Sequence, residues 1–128
     1  MTERYVLDAS ALLCLIRNEP GADTVRAVLP ESSIGAVNLS EVIAKMADLG
    51  MDADLIDAVL GPLQLPVIPF DAAQARLAGL MRPATRSLGL SLGDRTCLAL
   101  AAQPGATAMT TDRAWDAVGE PAKVMLAR

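Results

Sequence analysis

Short apolar runs alternate along this chain with longer segments whose apolar residues recur at helical spacing. Residues 4–7 (RYVL) predict a first strand, 10–18 a helix and 21–29 a second helix, followed by a short buried strand over 32–37. The segment 39–50 (LSEVIAKMADLG) predicts a helix closed by Gly50, a residue that tolerates the left-handed turn beyond a helix end. A further helix starts at residue 52 and breaks at Gly61-Pro62. The prolines that flank Val67-Ile68 in the run PVIPF mark a short strand near a sheet edge. A long helical region over 71–88 should kink before Pro83, and 91–103 (SLGDRTCLALAAQ) is a strong helix. A strand (ATAMTT), a short helix (DRAWDAV) and a last strand (AKVML) complete the pattern. Strands that alternate with helices and lack hairpin turns predict an α/β fold, with a mainly parallel sheet covered on both faces. In such a sheet the ligand site lies at the carboxyl ends of the strands.

Composition narrows what that scaffold can do. The 128 residues fit a single domain, and no change of composition, linker or repeat divides them. No apolar run reaches the roughly 18 residues that span a bilayer. Asp8 interrupts the only apolar stretch near the N-terminus that could serve a signal peptide, so a cytoplasmic protein is expected. Cys14 and Cys97 lie in apolar runs without metal-ligand spacing and read as buried thiols. There is no histidine, which excludes His-based triads, His general bases and His-ligated zinc or iron. A bound metal must then be held by oxygen, which favours Mg²⁺ or Mn²⁺. Tyr5, Phe70 and Trp115 are the only aromatic residues, too few for a base-stacking platform.

The acidic residues fall in a pattern. Asp8 closes the first strand and Asp112 closes ATAMTT, while Glu41 and Asp94 are expected in the first turns of helices that leave the same edge. Each has an ordinary explanation as a helix cap. Asp8 and Asp112 sit at N-cap positions, and Asn38 with Glu41 and Ser91 with Asp94 have capping-box spacing. Caps alone, however, have no reason to cluster on one rim. Two carboxylates about 5 Å apart repel by roughly 3 kcal/mol at an effective dielectric near 20, a strain that a cation would relieve. The chain holds 15 acidic and 11 basic residues, so its whole acidic excess equals these four. Four carboxylates on one rim suit a metal-assisted phosphodiesterase, in which divalent ions activate water and neutralise the phosphate. Asp8→Asn or Asp94→Asn should then abolish cleavage and raise the stability of the metal-free protein.

The blocks VLDASALL, NLSEV, LSLGDRTCLALA and TTDRAW, in this order and spacing, resemble the signature blocks of the PIN-domain nucleases, and especially the VapC-type toxins of bacterial toxin–antitoxin pairs. The resemblance covers nearly the whole chain. It implies a three-layer α/β/α fold and Mg²⁺- or Mn²⁺-dependent cleavage of RNA that leaves 5′-phosphate ends. It also implies a homodimer and a small VapB-like antitoxin whose tail lies across the active-site groove. The family's acidic positions fall on Asp8, Glu41, Asp94 and Asp112, with Ser10, Asn38 and Thr111 as supporting polar residues.

On this reading Asp8 and Asp94 are the principal metal ligands, Asp112 binds directly or through water, and Glu41 orients the attacking water or completes the metal shell. Arg95 and Arg113, each next to a proposed ligand, are the expected phosphate contacts, with Arg82 and Arg86 from the most basic stretch. A mean hydropathy of +0.36 leaves room for an apolar surface covered by a partner, for which residues 10–29 and 52–65 are the candidates. A haloacid-dehalogenase-type phosphatase fits poorly, because it wants Asp-x-Asp where the chain reads Asp8-Ala9-Ser10. A receiver domain lacks its early acidic pair. The remaining alternative is a PIN-fold module that binds RNA or protein without cutting.

Overall fold

A computed structural model of the chain describes residues 4–119 and 122–128. Five strands form one sheet, all parallel: β1 (Tyr5–Leu7), β2 (Ser32–Gly35), β3 (Val67–Ile68), β4 (Thr107–Thr110) and β5 (Lys123–Leu126). Their order across the sheet is β3-β2-β1-β4-β5. Starting from the central β1, the chain builds one half of the sheet outward and then returns to build the other. The reversal falls between β1 and β4, where an open parallel sheet splays its following loops apart and leaves a crevice.

The helices are α1 (Ala9–Ile16), α2 (Ala22–Val28), α3 (Ala36–Asp48), α4 (Ala53–Leu60), α5 (Ala72–Leu80), α6 (Arg82–Thr85) and α7 (Leu92–Ala102). Alternation along the strands sorts them into two layers. Leu7, Ile34 and Met109 point to one face and pack with Leu12, Val25, Val42, Met46 and Ile56 of α1 to α4. Val6 and Ala108 point to the other, against Cys97, Leu98 and Ala101 of α7 and against Trp115. Helix α5 lies on α7 from outside. The result is the expected three-layer α/β/α fold, and β3 is the expected edge strand.

Several element boundaries depart from the sequence expectation, one of them with consequences for the site. Strand β2 stops at Gly35 rather than residue 37, and α3 begins at Ala36 rather than residue 39. Asn38 is therefore a buried residue inside α3 and caps nothing, and Glu41 stands in the second turn rather than the first. Gly35, extended at φ −73° and ψ 151°, stands at the N-cap and offers no side-chain cap. The 71–88 region breaks at Met81, since Pro83 cannot donate to the turn before it, and continues as α6 and a 3-10 turn over Arg86–Leu88. The segment after Asp112 is a 3-10 turn (Arg113–Ala117) rather than an α-helix. Other expectations hold: α4 ends before Gly61-Pro62, and Gly50 follows α3 at φ +91°. No described helix is long and apolar enough to cross a membrane.

Candidate active site

Because Leu7 pairs with Met109, the residues after β1 and β4 emerge side by side in the crevice. Asp8 leaves β1 in an extended conformation and caps α1, with Oδ1 accepting from the Ala11 N–H at 2.8 Å. The Ser10 hydroxyl donates to the same oxygen at 2.7 Å, and the Thr110 hydroxyl donates to Oδ2 at 2.6 Å. Thr110 Oγ1 in turn accepts from the Asp112 N–H, and Ser10 Oγ accepts from the Thr111 N–H, both at 3.0 Å. The two hydroxyls thus couple the end of β4 to the carboxylate that ends β1.

Asp8 is only 4% exposed. Burial pushes its carboxyl up to about 6, with the negative charge of Asp94 adding to the rise and the Thr110, Ser10 and Ala11 hydrogen bonds opposing it. Asp94 sits in the first turn of α7 in a complete capping box: Ser91 Oγ accepts from the Asp94 N–H at 3.2 Å, and Asp94 Oδ2 accepts from the Ser91 N–H at 2.9 Å. Glu41 reaches across from α3 to the same turn. Its Oε1 accepts from Asn38 Nδ2 at 2.9 Å, and its carboxylate occupies the space where a Cβ on Gly93 would stand. Beneath them the buried Cys97 thiol is held well above its usual range, by burial first and then by the charges of Asp8, Asp94 and Glu41. Glu41 and Asp94 therefore meet at the start of α7, and Asp8 lies near enough to feel the charge of Asp94. Asp112 is exposed and caps the turn that follows it by accepting from the Ala114 N–H at 3.0 Å.

The capping expectation thus holds for Asp8, for Ser91 with Asp94 and for Asp112, and fails for Asn38 with Glu41. Among the described residues no three of the Asp, Glu or Cys side chains already lie close enough to grip one ion. The donor set nevertheless suits a hard divalent cation. It consists of oxygen alone, and among the described residues the buried Asp8 has no opposite charge that would offset its desolvation. Asp94 Oδ1, Asp112 Oδ2 and Glu41 Oε2 have no hydrogen-bond partner among the described residues, so each could turn to a ligand while the other oxygen keeps its hydrogen bond.

The supporting residues divide unevenly. Ser10 acts through its hydroxyl as expected, whereas Thr111 contributes its backbone N–H and the working hydroxyl belongs to Thr110. Sequence reasoning passed over Thr110 because nothing in the run TAMTT tells which threonine faces β1. It passed over Gly93 as well, although a glycine inside a helix costs stability and is a signal of close approach. Among the arginines, Arg95 donates to the Ala78 carbonyl of α5 at 2.9 Å and is committed to holding α5 on α7. Arg82, Arg86 and Arg113 are exposed and enter no ion pair among the described residues, whose salt bridges all involve Arg4, Arg17, Arg26 or Arg128. The turn over Arg86–Leu88 abuts the turn over Arg113–Ala117, which brings two of those free arginines onto neighbouring turns.

Known proteins bear on this geometry. A family model described as PIN domain matches residues 5–121. Comparison with curated protein sequences gives no match. Among solved structures, the chain is similar to one in the Salmonella typhimurium DNA-bound VapBC complex, at a TM-score of 0.76 and 18% identity over 100% of both chains. VapBC2 of Rickettsia felis, bound to a DNA fragment from its promoter, matches with a TM-score of 0.76 and 15% identity over 95% of this chain and 97% of that one. FitAcB of Neisseria gonorrhoeae matches at 0.71 and 20% identity, over 96% and 97%. At these identities the likeness is one of fold.

Proposed function

Because this chain belongs to the PIN-domain family, we propose that it is a divalent-metal-dependent endoribonuclease, the toxin of a VapBC-type toxin–antitoxin pair acting in the cytoplasm. The observation that carries the proposal is Asp8: a carboxylate buried at the β1/β4 switch point, raised by desolvation, with Asp94 and Glu41 around the same helix start. A buried acid with no countercharge is a poor structural choice and a good cation ligand.

Asp8 and Asp94 are the residues that would hold Mg²⁺ or Mn²⁺, with Asp112 joining directly or through water. When bound, the ion supplies positive charge to the scissile phosphate and eases loss of a proton from the attacking water. The protein's own part is orientation. Ser10 and Thr110 fix both oxygens of Asp8 and so aim its remaining lone pairs. Glu41 Oε2, without a hydrogen-bond partner among the described residues, would accept from the attacking water or complete the shell around the ion. Arg113, Arg86 and Arg82 supply the positive charge that an RNA backbone needs near an acidic site. Arg95 would serve there only by releasing the Ala78 carbonyl.

An exposed apolar groove of about 360 Å³ between α3, α4 and β3, lined by Leu39, Ile43, Leu60, Leu63, Leu65 and Val67, supports a protein partner. A second copy of the chain and a VapB-like antitoxin are the partners proposed; of the two candidate segments, 52–65 contributes to the groove through residues 57–65, and 10–29 does not line it.

The deciding measurement is cleavage of a mixed cellular RNA pool in Mg²⁺, in Mn²⁺ and in EDTA, by wild type beside Asp8→Asn and Asp94→Asn. Cutting that requires metal and vanishes in both variants is the expected result. Binding of RNA with no cutting under any metal condition would instead favour a PIN-fold module that recognises without hydrolysing.

A further inference from the structure

Glu41 stands on an exposed position of α3, where a glutamate ordinarily samples many rotamers. Here its carboxylate is pinned. Asn38, one helical turn before it and only 1% exposed, directs both hydrogens of its amide to fixed acceptors: Glu41 Oε1 at 2.9 Å and the Gly93 carbonyl at 3.1 Å. Reversing the amide would point its oxygen at a carboxylate and a carbonyl at once, so its orientation follows from its partners. The cost is visible on the other side of the group, where Asn38 Oδ1 is buried with no partner among the described residues. An apolar residue would fill that space without an orphaned acceptor, so packing does not explain an asparagine there.

Gly93 supplies the other half of the arrangement. A Cβ at this position would come within 2.6 Å of Glu41 Oε1 and Cδ, so the carboxylate rests directly on the bare backbone of α7. The Gly93 carbonyl is held from its own helix as well, by the Thr96 hydroxyl at 2.8 Å. Gly93 immediately precedes Asp94, which means that whatever fixes Glu41 to Gly93 also fixes it relative to that neighbouring acid.

We propose that Asn38 and Gly93 form a latch that holds the Glu41 carboxylate, pre-oriented, against the first turn of α7, and that this latch sets the affinity of the acidic cluster for a divalent cation. The inference rests on the metal-site reading above. Asn38 is a positioning residue in this scheme: it touches neither cation nor substrate and acts through Glu41, as outer residues that orient metal ligands do.

The probe is Mn²⁺ alone, titrated into the full chain and followed by loss of the free-ion electron paramagnetic resonance signal, with no RNA present. Asn38→Leu, which keeps a filled space and removes the donor, should weaken Mn²⁺ binding by about tenfold or more. Unchanged affinity in a folded Asn38→Leu protein overturns the latch. Wild type that binds Mn²⁺ no better than Asp8→Asn does overturns the metal-site reading itself, and the latch as a cation device with it. A double-mutant cycle on thermal stability reads the contact without depending on Asn38. Gly93→Ala should be less favourable to Tm in the wild-type background than in Glu41→Ala, where the space is vacated and only the helix-propensity gain of alanine remains. An equal Tm change in both backgrounds would show that the carboxylate does not rest on Gly93, and would end the proposal.

Discussion

The Asp8 carboxyl combines two opposed demands in one side chain. Three donors prefer it charged, and burial, the larger influence, prefers it neutral. Its folded value near 6 lies above the 3.8 of an unperturbed aspartate, so between those values the folded state binds more protons than the unfolded chain. Stability from this group is therefore fully present below about pH 4 and is lost as pH rises to about 6, by about 3 kcal/mol in all. Urea unfolding in EDTA should show it as a difference. Relative to wild type, Asp8→Asn should gain stability by about that amount between pH 4 and pH 7, and a flat difference across the range would mean that Asp8 is not desolvated. Added Mn²⁺ should reverse the order at pH 7, because only the wild type gains a ligand. Asp94→Asn, expected from the sequence to behave alike, should not gain in the same way. Its Oδ2 accepts from Ser91 at the start of α7, where a negative charge also favours the helix dipole.

Elements, more than residues, decide which glycines matter and why. Gly50 ends α3 in a two-bond Schellman arrangement, with Gly50 N–H to Ala47 O at 2.9 Å and Met51 N–H to Met46 O at 3.2 Å. Nothing lies within 4 Å of a Cβ built there, so Gly50→Ala meets only the left-handed backbone at φ +91°. It should cost about 1 kcal/mol in urea unfolding without altering Mn²⁺ binding. Gly93 is the reverse case, helical in backbone and blocked in space, so its substitution should act on the site first. The start of α3 had a similar hidden consequence. A shift of three residues turned Asn38 from a cap into a buried donor and carried Glu41 from the first turn to the second.

At the scale of the whole molecule, charge is segregated. Arg4, Arg17, Arg26 and Arg128 are consumed in ion pairs, while Arg82, Arg86 and Arg113 stay unpaired among the described residues, the last two on adjoining turns. If those arginines hold single-stranded RNA, the dependence of log K on log salt should flatten by about 0.7 for each one replaced. Filter binding of a catalytically dead Asp8→Asn protein with Arg86→Ala or Arg113→Ala would measure it, and an unchanged slope would remove that arginine from the interface. The exposed Leu49, Leu55 and Val67 carry apolar surface that the chain leaves uncovered.

Periodicity determined the number of the strands and their order along the chain, the lack of hairpin turns their parallel arrangement, and flanking prolines the edge position of β3, with Asp8 and Asp112 placed just beyond strands. These features follow from neighbouring residues and from the twofold and 3.6-fold repeats that strands and helices impose. Sheet order is a different kind of information. Only the packed fold seats β1 beside β4, and with that pairing it chose Thr110 rather than Thr111 as the hydroxyl on Asp8. It also brought Glu41 onto Gly93 and turned Arg95 away toward α5. Contacts between residues 50 or 100 positions apart leave no periodic trace, because either partner alone is compatible with many sequences. What fixes them is the space left when the two helical layers close over the sheet.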